Sequence, residues 1–104
     1  MTLVHTDCVK SDEHAHKVGA AIETARLYRD LSQSELAEKA EMSTSTLSRY
    51  ERGMTGVDGY TMVRLAHVLD VPLDLLLEPP TERGEVLLAI AVHDGQRRAA
   101  REPS

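Results

Sequence analysis

The segment LSQSELAEKAEMSTSTLSRYERG, residues 31–53, contains two helix-start signals in close succession. Residues 32–35 fit the capping-box pattern S-x-x-E, in which the serine and glutamate side chains bond free amides at a helix N-terminus. Ser43 is a natural N-cap for a second helix. Because the apolar residues after each signal recur at helical spacing, the segment is predicted to form two short consecutive helices, 33–40 and 43–52.

Apolar residues at helical spacing continue on both sides of this segment. Val18, Ile22 and Ala25 recur at i, i+4 and i+7, the pattern of one buried helix face. Downstream, Asp58 is a suitable N-cap, and Pro72 fits the first turn of a further short helix. The predicted helices span residues 13–29, 33–40, 43–52, 59–69 and 72–77. In the second and fourth of them the residues predicted to be buried are Leu36, Ala37, Ala40, Met62, Leu65, Ala66 and Leu69. The fifth carries the apolar residues Leu73, Leu76 and Leu77.

The core of such a fold has to be aliphatic, because the 104-residue chain has no Phe, no Trp and 3 Tyr. Few aromatic residues and few β-branched runs favour helices over sheets. A chain of this length has room for one domain with a modest core. The sequence therefore predicts an all-α domain.

The chain divides into three parts by composition. Residues 1–13 are polar, mixed in charge and without periodicity, and we expect a flexible N-terminal arm there. The helical domain is expected over 14–80, where a Pro-Pro pair ends it. Residues 81–104 form a C-terminal extension containing VLLAIAV, 86–92, which fits either a strand or a buried helix turn. Periodicity does not separate the two in so short a run, although the Leu and Ala content favours a helix. We expect that helix over about residues 82–93, followed by a basic end at 96–101.

Charge and compartment signals indicate a soluble protein. The formal net charge of −5 gives no overall field that attracts nucleic acid, although it leaves room for a local basic patch. A single cysteine, Cys8, cannot form an intrachain disulfide, which fits a reducing compartment. The N-terminus has no basic flank before an apolar stretch, and the longest apolar run is too short to span a bilayer. We expect a cytoplasmic protein with neither signal peptide nor membrane contact.

The third predicted helix is unusually rich in hydroxyl side chains. These are Ser43, Thr44, Ser45, Thr46 and Ser48. Ser and Thr are mediocre in helix interiors, because their hydroxyls compete for backbone hydrogen bonds. A solvated face of an ordinary amphipathic helix explains them, and so does a surface that hydrogen-bonds to a ligand.

A helical wheel separates the two sides of this helix. Leu47, Tyr50 and Met54 fall together and are predicted to be buried. The opposite side carries short donors and the guanidinium groups of Arg49 and Arg52. Short side chains allow close approach of the helix axis, and Arg bonds bidentately to guanine or to phosphate. Such a face suits a helix lying in the DNA major groove.

Three motifs in register resemble the phage-repressor-type (Xre, Cro/CI-like) helix-turn-helix family. They are LSQSELAEKA, MSTSTLSRYERG and YTMVRLAHVLDVPLDLLL, and the resemblance covers residues 18–78. It implies an all-α, five-helix repressor-type helix-turn-helix domain with a short C-terminal extension. It also implies that the chain binds double-stranded DNA.

The resemblance assigns roles to individual positions. Gln33 matches a glutamine that contacts phosphate, Arg49 matches a base-contacting position, and Arg52 is better placed for phosphate. The implied DNA-binding residues are Gln33, Ser43, Thr44, Ser45, Thr46, Ser48, Arg49 and Arg52. Arg26 and Glu51 match a family ion pair between the first and third helices, which implies a structural role.

Two positions depart from the family pattern. Asp30 and Glu41 stand where the family usually has glycine, at the ends of the first and second helices. Aspartate tolerates a left-handed conformation better than glutamate, for which the cost is about 1 kcal/mol. Both also place negative charge close to where DNA would lie, so we expect low nonspecific affinity and dependence on a few placed contacts.

No other constellation in the sequence indicates chemistry. His5, Cys8, His14 and His16 fit no recognised structural zinc spacing, so no metal or cofactor is expected. No nucleophile, base and orienting residue occur together in a recognisable pattern, and we expect no enzymatic activity.

Two functions remain. The first is a sequence-specific transcriptional regulator, a repressor that binds a near-palindromic operator as a homodimer through apolar surface of the fifth helix or of residues 86–92. The alternative is an antitoxin-like protein-interaction module whose tail, residues 81–104, binds a partner protein. A tail that becomes ordered only with a partner would favour the alternative.

Overall fold

The computed structural model describes the backbone of residues 2–101 and the side chains of residues 13–98. This part of the chain contains six α-helices and no strand, which confirms the predicted all-α class. The helices are α1 (Thr2–Tyr28), α2 (Gln33–Lys39), α3 (Thr44–Glu51), α4 (Gly59–Leu69), α5 (Leu73–Leu77) and α6 (Arg83–Arg101).

The N-terminal end of the chain differs from the sequence-based expectation, whereas the C-terminal extension forms the favoured helix. Residues 2–13, expected as a flexible arm, belong to α1. No glycine or proline interrupts residues 2–18, so a helix nucleated by the buried stripe of α1 continues towards the N-terminus. At the other end, VLLAIAV lies inside α6, which continues beyond residue 93 through the basic residues 96–101. The division at residues 14–80 stays a prediction.

The core is a single aliphatic cluster to which all six helices contribute buried side chains, including Leu47 of α3 and Leu75 and Leu76 of the short α5. The residues predicted to be buried in α1, α2 and α4 are all buried. Two α6 residues, Val86 and Ile90, join the same cluster. Helix α6 therefore packs on the domain rather than projecting from it.

Two predicted core positions are wrong. Met54 is 62% exposed, and Tyr50 is only half-buried, whereas Glu51 beside them is buried. Helix α3 ends at Glu51, and Gly53 adopts a φ of 71°, so the chain leaves the helical path before Met54. In α5, Leu75 and Leu76 are buried, whereas Leu77 is 39% exposed.

Helix ends follow the local signals closely. Ser32 forms the complete capping box with Glu35, and this hydrogen bonding from Ser32 lowers the pKa of the Glu35 carboxyl. Ser43 and Asp58 cap α3 and α4 through bonds to the backbone amides of Thr46 and Thr61. These caps satisfy amides that have no partner within the helix.

Helix α6 is held to the domain by a group of ion pairs at its C-terminal half. Arg29 at the end of α1 donates two hydrogen bonds of 2.7 Å to the carboxylate of Asp94. The same guanidinium donates to the carbonyl oxygens of Leu69 and Asp70 at 2.8 and 2.7 Å. Arg97 of α6 forms a further ion pair with Asp70. One arginine therefore joins α1, the end of α4 and α6.

The helices of the described residues are either short or interrupted by polar and charged side chains. None of their helices combines the length and the apolar character that crossing a membrane requires.

Candidate nucleic-acid interface

Helices α2 and α3 are joined by a tight turn at residues 40–43. Glu41 adopts a left-handed φ of 59°, and the amide of Met42 bonds back to the carbonyl of Ala37 at 2.9 Å. The left-handed residue turns the chain sharply, so that Ser43 can cap α3 at once. The result is two short consecutive helices, with the exposed side chains of Thr44 and Ser45 at the start of α3.

The C-terminal end of α3 is anchored by the ion pair expected between Arg26 and Glu51. The Nε of Arg26 lies 2.7 Å from Oε2 of Glu51, and its Nη2 lies 3.2 Å from Oε1. A third donor of the same guanidinium bonds the carbonyl of Leu31 at 2.9 Å. Both residues are 8% exposed. The pair therefore links α1, the chain before α2 and the end of α3 inside the domain.

Gln33, at the first position of α2, is tied to this anchor. Its Nε2 donates to Oε1 of Glu51 at 2.9 Å. The residue is half-buried, so part of its amide stays at the surface, next to the free backbone amides of the α2 N-terminus. The sequence pattern did not reveal this bond, because the two residues meet only once α2 and α3 pack.

The hydroxyl side chains of α3 fall into two groups. Ser43 accepts the amide of Thr46 at 3.1 Å and donates to its hydroxyl at 2.8 Å, so both take part in the cap. Thr44 and Ser45 are exposed and Ser48 is half-buried. Among the side chains that the structure describes, these last three make no hydrogen bond within the protein.

Two arginines lie on the same outer side of α3. Arg49 and Arg52 are both exposed. Of the eight arginines with described side chains, five pair with carboxylates, and the three that do not are Arg49, Arg52 and Arg98. The α3 surface thus combines uncompensated positive charge with short hydroxyl donors, in a domain whose net charge is negative.

Glu41 and Asp30, the two acidic residues at positions where the family usually has glycine, differ in their contacts. The carboxylate of Glu41 lies 3.3 Å from Nη1 of Arg64, which also donates to the carbonyl of Ala40. Its side chain is 75% exposed, so the pair offsets its charge only in part. Asp30 is exposed and left-handed, with a φ of 57°. The Arg64 contact was not anticipated, because α4 meets the α2–α3 turn only in the folded chain.

A metal site was one alternative to the α3 surface among the residues that the structure describes. These residues contain no group of three or more His, Cys, Asp or Glu that could hold a metal ion. His14 and His16 are exposed, whereas the side chains of His5 and Cys8 lie outside the described part. The surface of α3, with Gln33 beside it, remains the best-formed candidate site.

A comparison with protein families gives a match to the model described as helix-turn-helix over residues 22–76, more than half of the chain. The chain belongs to this helix-turn-helix family, of the Xre and Cro/CI type. The match runs from the C-terminal part of α1 to α5 and includes α2 and α3 completely. No curated protein matches the sequence.

Solved structures that resemble this helix-turn-helix protein include the clp gene regulator ClgR from C. glutamicum. The TM-score is 0.57 with 25% sequence identity, over 76% of this chain and 90% of the ClgR chain. The likeness covers nearly the whole of that regulator. It agrees with the family match in indicating a DNA-binding regulator.

Proposed function

We propose that this protein is a cytoplasmic, non-enzymatic transcriptional repressor that binds a specific operator in double-stranded DNA as a homodimer. The observation that carries the proposal is the α3 surface, where two exposed arginines without carboxylate partners stand beside hydroxyl donors. Family membership and the likeness to a gene regulator support a function in DNA binding and gene regulation.

In this proposal α3 enters the major groove with its N-terminal end. Arg49 bonds a base edge, for which guanine O6 and N7 offer a bidentate acceptor pair. Thr44, Ser45 and Ser48 approach base edges or phosphates, and Arg52 contacts phosphate. The helix axis can come close to the bases, because the side chains on this face are short.

Gln33 supplies a phosphate contact from the N-terminus of α2. There the free amides and the positive end of the helix dipole favour an anion. The bond to Glu51 fixes one amide hydrogen and leaves the other available. Because Glu51 is held by Arg26, the buried ion pair orients this contact as well as joining the helices.

Two subunits are needed to recognise enough base pairs for useful sequence specificity. One recognition helix contacts few base pairs, and dimers of this motif bind half-sites about 34 Å apart on a near-palindromic site. Occupancy of a promoter is sufficient for repression, so no further activity is required of the chain.

The test is selection of binding sites from random duplex DNA with the purified protein. We expect a palindromic motif with half-sites one helical turn apart. Arg49→Ala should weaken binding to the selected site by about 1–3 kcal/mol and relax specificity at one base pair. Arg83→Ala, which removes the same charge from an exposed pair with Glu23, should leave affinity nearly unchanged. No enrichment with folded protein, or equal affinity for Arg49→Ala, would refute the proposal.

A further inference from the structure

Helix α6 has a second apolar face that the domain does not cover. Its inner face buries Val86 and Ile90. On the opposite side Leu88 is 65% exposed and Val92 is 51% exposed. They lie four residues apart and so form one contiguous strip on the helix. Exposed aliphatic strips of this kind mark interaction surfaces more often than isolated exposed residues do.

The strip borders an apolar groove. A cavity of about 440 Å³ lies beside Leu88 and Val92, where Pro72, Pro80 and Ala89 contribute its other apolar walls. Further along the outer side, Gly95 has no neighbouring atom within 4 Å of the place where a β carbon would be. A second helix can therefore approach the α6 backbone closely and place aliphatic side chains in the groove.

The charges along α6 indicate which partner fits. Three charged residues of the helix are satisfied inside the chain: Arg83 pairs with Glu23, Asp94 with Arg29, and Arg97 with Asp70. We call residues 82–98 the α6 segment; it includes Glu82, the residue just before the helix. Among its described side chains, the charges without an ion pair are Glu82 and Glu85 at its start and Arg98 near its end. The segment is thus negative at one end and positive at the other.

This polarity makes α6 complementary to itself in the antiparallel direction. An antiparallel second copy brings the acidic start of one helix towards the basic end of the other, and it also opposes the two helix dipoles favourably. A parallel second copy would bring like charges together at both ends. The same apolar strip then meets its own copy, as a two-fold interface requires.

We infer that α6 is the self-association surface of this protein, in which two copies pair antiparallel with Leu88 of each against Val92 of the other. The inference rests on the homodimer of the proposed function and specifies its interface. It narrows the surface expected from the sequence, the fifth helix or residues 86–92, to Leu88 and Val92, because Val86 and Ile90 are buried in the core. The groove beside Pro72 and Pro80 receives the partner's side chains.

The first experiment measures the mass of the full chain in solution by sedimentation equilibrium, without DNA. We expect a dimer for the native protein. Leu88→Glu and Val92→Glu should each weaken dimerisation at least tenfold, because they bury a charge at the centre of the interface. Val63→Glu is the matched control, since Val63 is 54% exposed on α4 and away from the strip. Circular dichroism shows whether each variant keeps its helices.

A monomer at all concentrations for the native protein would overturn the inference, and so would a dimer unaffected by either α6 variant. A dimer lost equally in Val63→Glu would also contradict it. These results are separate from operator binding: the site selection can succeed while the α6 interface fails, and the reverse.

Spin labels decide the orientation. With Cys8→Ser as background, a label is attached through Arg98→Cys, and the distance between the two labels of a dimer is measured. Antiparallel pairing centred between Leu88 and Val92 separates the two positions by about 24 Å along the helix axis, from a rise of about 1.5 Å per residue. Labels within about 15 Å of each other would indicate parallel pairing and overturn the antiparallel interface.

Discussion

A β carbon placed on Gly19 would lie 2.5 Å from the carbonyl oxygen of Glu51, and the carbonyl oxygen of Tyr50 is also in its way. The backbone of α1 therefore crosses the C-terminal end of α3 with no space for a side chain. Both obstructing atoms belong to the backbone, so a rotamer change cannot relieve the contact. Together with the Arg26–Glu51 ion pair, this crossing sets the position of α3 relative to the rest of the domain.

Gly19→Ala should lower the free energy of unfolding by about 1–3 kcal/mol, the usual cost of overpacking, despite the better helix propensity of alanine. The strain is relieved by moving α3 away from α1. We therefore expect weaker operator binding as well, even though Gly19 touches no DNA in the proposed complex. Urea unfolding followed by circular dichroism measures the first effect, and titration with the selected operator measures the second.

Gly59→Ala is the control for this prediction. Gly59 begins α4, and nothing lies within 4 Å of the place where its β carbon would be. Alanine there should leave stability unchanged or raise it by up to about 1 kcal/mol, by restricting the unfolded chain. Equal stability of the two variants would contradict the close crossing of α1 and α3.

Removing one partner of the Arg26–Glu51 pair should be costly, and removing both should be less so. Arg26→Met leaves the Glu51 carboxylate buried beside a single neutral donor, Gln33, and should lower the free energy of unfolding by about 3–5 kcal/mol. The double variant Arg26→Met, Glu51→Leu should recover much of this loss, since no buried charge remains. A double-mutant cycle in urea measures the coupling. Additive losses would show that the two charges do not depend on each other.

The features that the sequence predicted well are the local ones. Ser32, Ser43 and Asp58 each cap the helix that follows them, because a cap depends on a few consecutive residues. The outer side of α3 was likewise predictable, since the wheel needs only the helix itself. The resemblance to the helix-turn-helix family also implied the long-range ion pair of Arg26 and Glu51.

The features that the sequence did not reveal depend on packing between distant segments. The sequence around Gly19 did not predict that α1 crosses α3 there, because the residues next to Gly19 carry no information about which helix packs against it. The contacts of Arg29 with Asp94 and of Arg64 with Glu41 join segments that are far apart in the chain. Met54 was misplaced for a related reason: the wheel assumed that α3 continued past Gly53.

Glu41→Gly should stabilise the protein. Glu41 has a left-handed φ of 59°, which costs a residue with a β carbon about 1 kcal/mol. The substitution also removes the exposed pair with Arg64, which contributes little at such exposure. We expect a net gain of about 0.5–1 kcal/mol in the free energy of unfolding.

Glu38→Gly, the same change inside α2 at an exposed position, should instead cost about 1 kcal/mol. The same sign for both variants would refute the strain at Glu41.

Acid should loosen α6 through Asp94. The hydrogen bonds from Arg29 lower the pKa of the Asp94 carboxyl in the folded protein. A carboxyl with a depressed folded pKa contributes stability above its unfolded pKa, about 3.9, and loses it as the pH falls through the folded value. Between pH 7 and 5 this contribution should be constant, and below about pH 4 it should decline.

Hydrogen exchange on α6, measured along this pH series, should show the native helix losing protection before α2 and α3 do. Asp94→Asn should show weakened α6 protection already at pH 7 and a flatter decline in acid, whereas Asp74→Asn, an exposed carboxyl on α5, should behave as the native protein does. Unchanged α6 protection in Asp94→Asn would show that the bond with Arg29 does not hold the helix.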